Sequence, residues 1–149
     1  MKKLYYIING SNLNMLGTRE PDVYGSESYK TLKATVKAAA KRLGVRVRIF
    51  QSNHEGYLVD LIQKAYFVGA DGVIINPGAY THTSIALLDA VCATRLPCVE
   101  IHISKLEERE DFRQVSYIRA ACIKTITGRG VGGYNEAVDC LVSYLKNES

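Results

Sequence analysis

Histidine and amide side chains at the ends of short apolar runs are the first candidates for chemistry. Glu100 and His102 lie two positions apart in the run 98–102. In a strand these two side chains share a face, so the carboxylate can orient and charge the imidazole. Asn9 and Asn76 end two further apolar runs. These residue types favour acid–base chemistry on a polar ligand.

A second group of candidates lies on the polar segment 9–25, which contains Asn12, Arg19 and Tyr24. The segment is too long for an ordinary strand-to-helix connection, so it predicts an active-site lid, a binding loop or a disordered stretch. A tyrosine is a useful base only when its pKa falls from about 10 towards the working pH, and a nearby guanidinium lowers it. The residues alone leave two alternatives open: Tyr24 activated by Arg19, or Tyr24 packed on the loop with Arg19 in solvent.

Alternating strand and helix patterns determine where these candidates lie. Strands are predicted at residues 4–8, 45–51, 72–76, 98–102 and 121–127, and helices at 28–43, 52–67, 83–94 and 134–145. Ser52 and Glu55 have the spacing of a capping box. Residues 106–117 are predicted as a loop with one or two helical turns. This order predicts a parallel sheet with helices on both faces and a ligand site at the carboxyl ends of its strands.

Length and composition exclude several classes of protein. The chain has 149 residues, 47% apolar and 23% charged, as expected for one domain of common size. The N-terminal apolar run of about five residues is too short for a signal peptide, and no stretch is long enough to span a membrane. We therefore expect a soluble, cytoplasmic protein with no membrane partner. The net charge of +4, without a basic stripe interleaved with aromatic residues, predicts no nucleic-acid partner and suits a small anionic substrate.

The sequence lacks the usual motifs for metal binding and for covalent catalysis. The cysteines form no C-x-x-C pair and the histidines no H-x-x-x-H motif, so no metal site is expected. The four cysteines are interpreted as small buried hydrophobic residues: Cys92, Cys98, Cys122 and Cys140. No predicted strand carries a clearly buried lysine for a Schiff base, and the chain has no G-x-S-x-G motif for serine catalysis.

The segment 128–133 matches G-x-G-x-x-G and lies between a predicted strand and a predicted helix. A dinucleotide site is one interpretation of this motif. However, the motif follows the last strand rather than the first. Only 16 residues come after it, too few to reach the ribose-binding acidic residue expected about 20 positions on. A tight turn before the last helix is therefore favoured.

Five blocks of the sequence can be considered together: INGSNLNMLGTREPDVYG at 8–25, QSNHEG at 51–56, INPGAYTHTSI at 75–85, EIHIS at 100–104 and REDFR at 109–113. In this order and spacing they resemble the type II 3-dehydroquinate dehydratase family. The resemblance implies a flavodoxin-like fold, an α/β doubly wound five-stranded parallel sheet, in one catalytic domain over residues 1–149. It also implies the dehydration of 3-dehydroquinate to 3-dehydroshikimate in the shikimate pathway. The family reaction is an anti elimination through an enolate, with no Schiff base, metal or cofactor.

The resemblance also implies a role for each catalytic residue. Tyr24 is the base that takes the proton beside the ketone, and Arg19 lowers its pKa. Asn12 helps to hold the enolate through a water molecule. His102, oriented by Glu100, gives a proton to the departing hydroxyl.

Further residues are implied in substrate binding. Asn76 and His82 hold substrate hydroxyls, while the backbone of Ile103 and Ser104 and the guanidinium of Arg113 bind the carboxylate. Two more residues match the family pattern: Asp89, which reaches the site of a neighbouring subunit, and Arg109, which is associated with the lid. The implied partners are copies of the same chain, in a dodecamer built of trimers.

Three positions depart from the family pattern. Ser11 stands in place of a usual proline, which should loosen the entry to the long segment. Lys105 replaces a usual asparagine, and Gln114 replaces a frequent histidine. None of the three is an acid or a base in the implied reaction. The alternative function is a non-catalytic flavodoxin-like module that binds a nucleotide or phosphate through residues 128–133.

Overall fold

The computed structural model of the protein describes residues 1–18 and 27–148. Within these ranges, five strands form one parallel sheet with the order β2-β1-β3-β4-β5. The strands are β1 (Leu4–Asn9), β2 (Arg46–Gln51), β3 (Gly72–Asn76), β4 (Cys98–Ile101) and β5 (Lys124–Ile126). This is the order of flavodoxin-like doubly wound sheets, and it confirms the predicted fold class.

Helices cover both faces of this sheet. In the described chain they are α1 (Tyr29–Leu43), α2 (Glu55–Phe67), α3 (Ile85–Thr94) and α4 (Gly133–Glu148). The apolar stripes of α1 and α4 pack in one buried cluster, and those of α2 and α3 pack in a second cluster. Strand β1 contributes Tyr5 and Ile7 to the first cluster. The alternate residues Tyr6 and Ile8 belong to the second cluster. Successive side chains of a strand point to opposite faces, so the two clusters lie on opposite sides of the sheet.

Strand β5 is shorter than predicted. It begins at Lys124 rather than at residue 121, because Ile118–Ala121 form a 3-10 helix. The N–H of Cys122 donates to the Arg119 carbonyl and closes this turn. The side chain of Lys124 is exposed, so strand β5 offers no buried lysine.

The predicted capping box at Ser52 does not form. Helix α2 begins at Glu55 with His54 as its N-cap, and no side chain caps this end. The hydroxyl of Ser52 instead accepts a hydrogen bond from the N–H of His54 at 3.0 Å. Because the Ser52 hydroxyl oxygen already accepts this local hydrogen bond, it does not cap the helix.

The strand order reverses between β1 and β3, whose carboxyl ends lie side by side with Asn9 paired to Asn76. Beyond β1, Gly10 passes so close to Pro77 that a Cβ on Gly10 would lie 2.2 Å from the Pro77 carbonyl oxygen. Glycine at this position lets the segments leaving the two strands converge. A ligand site is expected at this edge. Among the described helices, none is long and apolar enough to span a membrane.

Candidate active site

A cavity of about 150 Å³ opens at the edge where the strand order reverses. Its walls come from the segments that follow β1, β3 and β4. Eight of the residues that the resemblance implicates line it: Asn12, Asn76, His82, His102, Ile103, Ser104, Arg109 and Arg113. The fold thus brings amide, imidazole and guanidinium groups from three parts of the chain into one cavity.

Four other predicted residues do not line this cavity or cannot be placed. Glu100 is fully buried and contacts His102. Asp89 lies on α3 with an exposed side chain, away from the cavity lining. Arg19 and Tyr24 lie outside the described residues. Their roles stay predictions.

Glu100 holds the imidazole of His102, as their spacing in the sequence predicts. His102 is 5% exposed, and its Nε2 lies 2.5 Å from Oε2 of Glu100. The main chain of His102 is fixed by strand β5, because its N–H donates to the Ile126 carbonyl at 2.9 Å. Since Nε2 bonds to the carboxylate, Nδ1 is the ring nitrogen left to exchange a proton with a ligand.

Three polar residues that the sequence analysis missed also hold Glu100. Ser116 Oγ donates to Oε2 at 2.7 Å, and Thr125 Oγ1 donates to Oε1 at 2.9 Å. Arg119 donates from Nε to Oε1 at 3.0 Å and from Nη2 to Oε2 at 3.2 Å. Burial alone would raise the pKa of Glu100, but the hydrogen bonds from His102, Arg119 and Ser116 outweigh it and lower this pKa to about 2.

This depressed pKa predicts a loss of stability in acid. Glu100 stabilises the fold above its ordinary pKa of 4.5, and the stabilisation is lost as the pH falls through that value towards 2. The whole shift corresponds to roughly 3 kcal/mol of unfolding free energy. Urea denaturation between pH 7 and pH 3 should show this decline, and Glu100→Gln should show a shallower one because glutamine does not titrate. An equal decline in both proteins would contradict the prediction.

His82 lies at the end of the 3-10 helix Gly78–His82 and presents one defined tautomer. Its Nδ1 lies 2.7 Å from the Val115 carbonyl oxygen, which only accepts, so Nδ1 carries the hydrogen. Partial burial lowers the pKa of His82, and the neighbouring His102 and Arg113 act in the same direction. The neutral ring therefore leaves the Nε2 lone pair to accept a hydrogen bond from a ligand hydroxyl.

A buried network sets the orientation of the Asn76 amide. Its Oδ1 accepts from the N–H of Gly78 at 3.1 Å, and its Nδ2 donates to the Tyr134 hydroxyl at 3.4 Å. Tyr134 in turn donates to Oδ1 of Asn9 at 2.6 Å, and burial raises the pKa of Tyr134 far above its usual range. With both amide atoms held in this way, Asn76 has one N–H left to donate to a ligand. Sequence analysis missed Tyr134.

The cationic part of the cavity comes from Arg109 and Arg113, whose side chains are 14% and 24% exposed. Arg109 Nη1 donates to the hydroxyl of Ser104 at 3.3 Å. Arg113 Nε donates to Glu110 Oε1 at 3.1 Å, which fixes one side of its guanidinium. Two partly buried guanidinium groups beside a hydroxyl suit a ligand carboxylate.

Lys105 and Gln114, two departures from the family pattern, do not line the cavity. Lys105 pairs with Glu108 at 3.8 Å on the exposed surface. The amide of Gln114 donates to the carbonyls of Leu106 at 2.6 Å and Arg109 at 3.2 Å. Gln114 therefore stabilises the turn that carries Arg109.

Ser11, the third departure, lines the cavity, but its hydroxyl oxygen is buried with no hydrogen-bond partner among the described residues. Leaving a buried hydroxyl unsatisfied costs about 1–3 kcal/mol. We therefore expect Ser11→Ala to raise the free energy of unfolding by about 1 kcal/mol in urea denaturation. Ser84→Ala is the matched control, because Ser84 Oγ accepts from the N–H of Leu87 at 3.0 Å and caps α3. Ser84→Ala should lower the free energy of unfolding. A lower free energy of unfolding in Ser11→Ala as well would contradict the expected gain.

The glycine-rich segment 128–133 binds a carboxylate of the chain itself. The N–H of Val131 donates to Oε1 of Glu27 at 3.0 Å. Gly130 has a φ of +60°, and a Cβ there would lie 2.7 Å from the same oxygen. The glycine thus makes room for Glu27 rather than for a phosphate, which supports the tight-turn interpretation of this motif.

Comparison with protein families gives a match over most of the chain. A family model described as "Dehydroquinase class II" matches residues 3–142. A curated relative from Rhodopseudomonas palustris (strain BisA53), named 3-dehydroquinate dehydratase, is 47% identical over 145 residues, covering 97% of this chain and 96% of that protein. One of the same name from Corynebacterium glutamicum (strain R) is 49% identical over 140 residues, covering 94% and 96%.

Solved structures give the same result. The crystal structure of type II dehydroquinase from Butyrivibrio crossotus DSM 2876 is similar with a TM-score of 0.93 and 44% identity, covering 95% of this chain and 98% of that one. The type II dehydroquinase from Propionibacterium acnes has a TM-score of 0.90 and 36% identity, covering 96% and 98%.

Proposed function

This chain belongs to the class II dehydroquinase family, and on that premise we propose that it dehydrates 3-dehydroquinate to 3-dehydroshikimate. The observation that carries the proposal is that His102, held by the buried Glu100, lines the same cavity as the guanidinium groups of Arg109 and Arg113. A positioned proton donor assists the departure of a hydroxyl as water, and guanidinium groups bind the carboxylate of the substrate.

We propose an anti elimination through an enolate in one catalytic domain. Tyr24, with its pKa lowered by Arg19, takes the proton beside the ketone. The electron pair of the broken C–H bond forms an enolate, whose oxygen Asn12 holds through a water molecule. His102 then protonates the departing hydroxyl, which leaves as water while the new carbon–carbon double bond forms in conjugation with the ketone. No Schiff base or metal takes part in this scheme.

The remaining cavity residues hold the substrate in the proposal. Asn76 donates to one hydroxyl, and neutral His82 accepts from another through Nε2. The substrate carboxylate lies against Arg113 and the backbone of Ile103 and Ser104. This division of donors and acceptors follows from the hydrogen bonds that these side chains already make.

We further propose that the protein works as a homo-oligomer, a dodecamer built of trimers. Asp89 is exposed and away from the cavity of its own chain. In the proposed assembly it reaches the cavity of a neighbouring subunit. Sedimentation velocity of wild type and Asp89→Ala measures the effect of the substitution on assembly. The turnover of the same two proteins measures its effect on activity.

Mixing the protein with 3-dehydroquinate tests the proposed function directly. The product is a conjugated enone, so turnover appears as a rise in ultraviolet absorbance. Folded protein without turnover would reject the proposal. Borohydride added with substrate should leave no covalent adduct in the intact-protein mass, and a lysine adduct would refute the enolate route. The alternative binding module would instead be stabilised against heat by nucleotides and not by quinate-like acids.

A further inference from the structure

The backbone at Asn12 is held in an uncommon conformation. Its φ of 68° and ψ of 1° lie in the left-handed region, which few residues other than glycine adopt. Asn12 precedes the 3-10 helix Leu13–Met15, but its side chain does not cap that helix. The Asn12 side chain lines the cavity, and the direction of its amide depends on this left-handed backbone.

A side chain from the segment after β2 holds this backbone. The N–H of Asn12 donates to Oδ1 of Asn53 at 2.9 Å, across 41 positions of sequence. Gln51 Nε2 donates to the same oxygen at 3.1 Å and to the Gly10 carbonyl at 3.2 Å. Two donors converge on one atom of Asn53, which identifies that atom as the amide oxygen.

The main chain of Asn53 is itself anchored. Its carbonyl accepts from the hydroxyl of Tyr80 at 2.7 Å. The neighbouring Ser52 N–H donates to the Asn9 carbonyl at 3.0 Å, beside the start of the segment that Asn53 supports. Asn53 thus connects the segments that leave β1, β2 and β3, although it does not line the cavity.

We propose that Asn53 is a positioning residue for catalysis, which fixes the left-handed backbone of Asn12 and so aims the Asn12 amide at the reacting oxygen. The inference rests on the proposed function, in which Asn12 stabilises the enolate. A group that acts on charge developing in the transition state affects kcat more than KM. Small displacements of such a group reduce the rate strongly.

The test compares two substitutions at the same position. Asn53→Ala removes the acceptor and should lower kcat by about ten- to a hundredfold with KM nearly unchanged. Asn53→Asp keeps an acceptor oxygen for Asn12 and Gln51 and should restore most of kcat. Asn147→Ala, an exposed change on α4, is the control. Wild-type kcat in Asn53→Ala, or a rise in KM alone, would overturn the proposal.

A double-substitution cycle separates positioning from general destabilisation. Asn12→Gly removes the amide while glycine tolerates the left-handed backbone. If Asn53 acts through Asn12, adding Asn53→Ala to Asn12→Gly should change kcat by less than about twofold. Fully additive losses would mean that Asn53 acts through another part of the protein and would overturn the proposal.

Hydrogen–deuterium exchange distinguishes failure of this inference from failure of the proposed function. Peptides covering residues 10–16 should exchange faster in Asn53→Ala than in wild type, and Asn53→Asp should restore protection. This comparison needs no turnover. Unchanged exchange in Asn53→Ala would overturn the positioning role even if the protein dehydrates 3-dehydroquinate. Absent wild-type turnover would instead reject the catalytic assignment on which the proposal rests.

Discussion

Replacing His102 with asparagine should lower kcat for dehydration of 3-dehydroquinate by about two to four orders of magnitude, the usual contribution of a positioned general acid. Asparagine keeps a polar side chain but cannot give a proton to the departing hydroxyl. The effect should appear mainly in kcat, because the carboxylate is proposed to bind at Arg113 and Ser104 rather than at His102. Steady-state measurement of the ultraviolet absorbance of the enone gives both constants. A kcat within tenfold of wild type would contradict the assignment of His102 as the acid.

The other hydrogen bonds of Glu100 make His102→Asn a suitable test of the role of His102 in catalysis. When His102 is removed, Glu100 still accepts hydrogen bonds from Ser116, Arg119 and Thr125. No buried carboxylate is left without a partner, so the large penalty for an isolated buried charge is avoided. Circular dichroism should therefore stay close to wild type, and the urea midpoint should fall only by the part of the Glu100 stabilisation that His102 supplies. A large loss of stability would show that His102 supports the fold as well as the reaction.

Tyr24→Phe should reduce kcat by a similar two to four orders of magnitude, since phenylalanine keeps the ring and removes the hydroxyl that is proposed as the base. The variant should still bind 3-dehydroquinate, because the proposed binding groups lie on other residues. Isothermal titration with the unreacted substrate measures that affinity directly. Tyr66→Phe is the matched control, as Tyr66 is 54% exposed on α2. An active Tyr24→Phe enzyme would require another base.

The sheet and its helices were predictable because apolar residues mark them, as stripes on the helices and as short runs in the buried strands. The apolar stripes of the helices repeat at fixed spacings. The run of β3 is apolar without alternation, as expected for a strand buried on both faces. The pair Glu100–His102 was predictable because a spacing of two on a strand places both side chains on one face. The start of β5 was missed because residues 118–123 are apolar enough for a strand, but a 3-10 turn uses their backbone.

The supporting hydrogen bonds were not predictable from pattern. Asn53 contacts Asn12 across 41 positions, and Tyr134 contacts Asn76 across 58. Such pairs depend on how the strands are ordered in space. A single asparagine or tyrosine in a sequence does not indicate which distant residue it contacts. Asn53 does lie in the block 51–56 that resembles the family, which marks the segment without indicating what it holds.

The bond between Tyr134 and Asn9 has a consequence for how the protein is made. All the side chains that line the described cavity lie at or before residue 113, so a ribosome has synthesised them before it reaches Tyr134. The hydroxyl that orders Asn9 and Asn76 arrives only with α4, 125 residues after Asn9. Contacts this distant in sequence form slowly. We therefore expect the docking of α4 to be the step that orders Asn9 and Asn76 at the edge where the cavity opens.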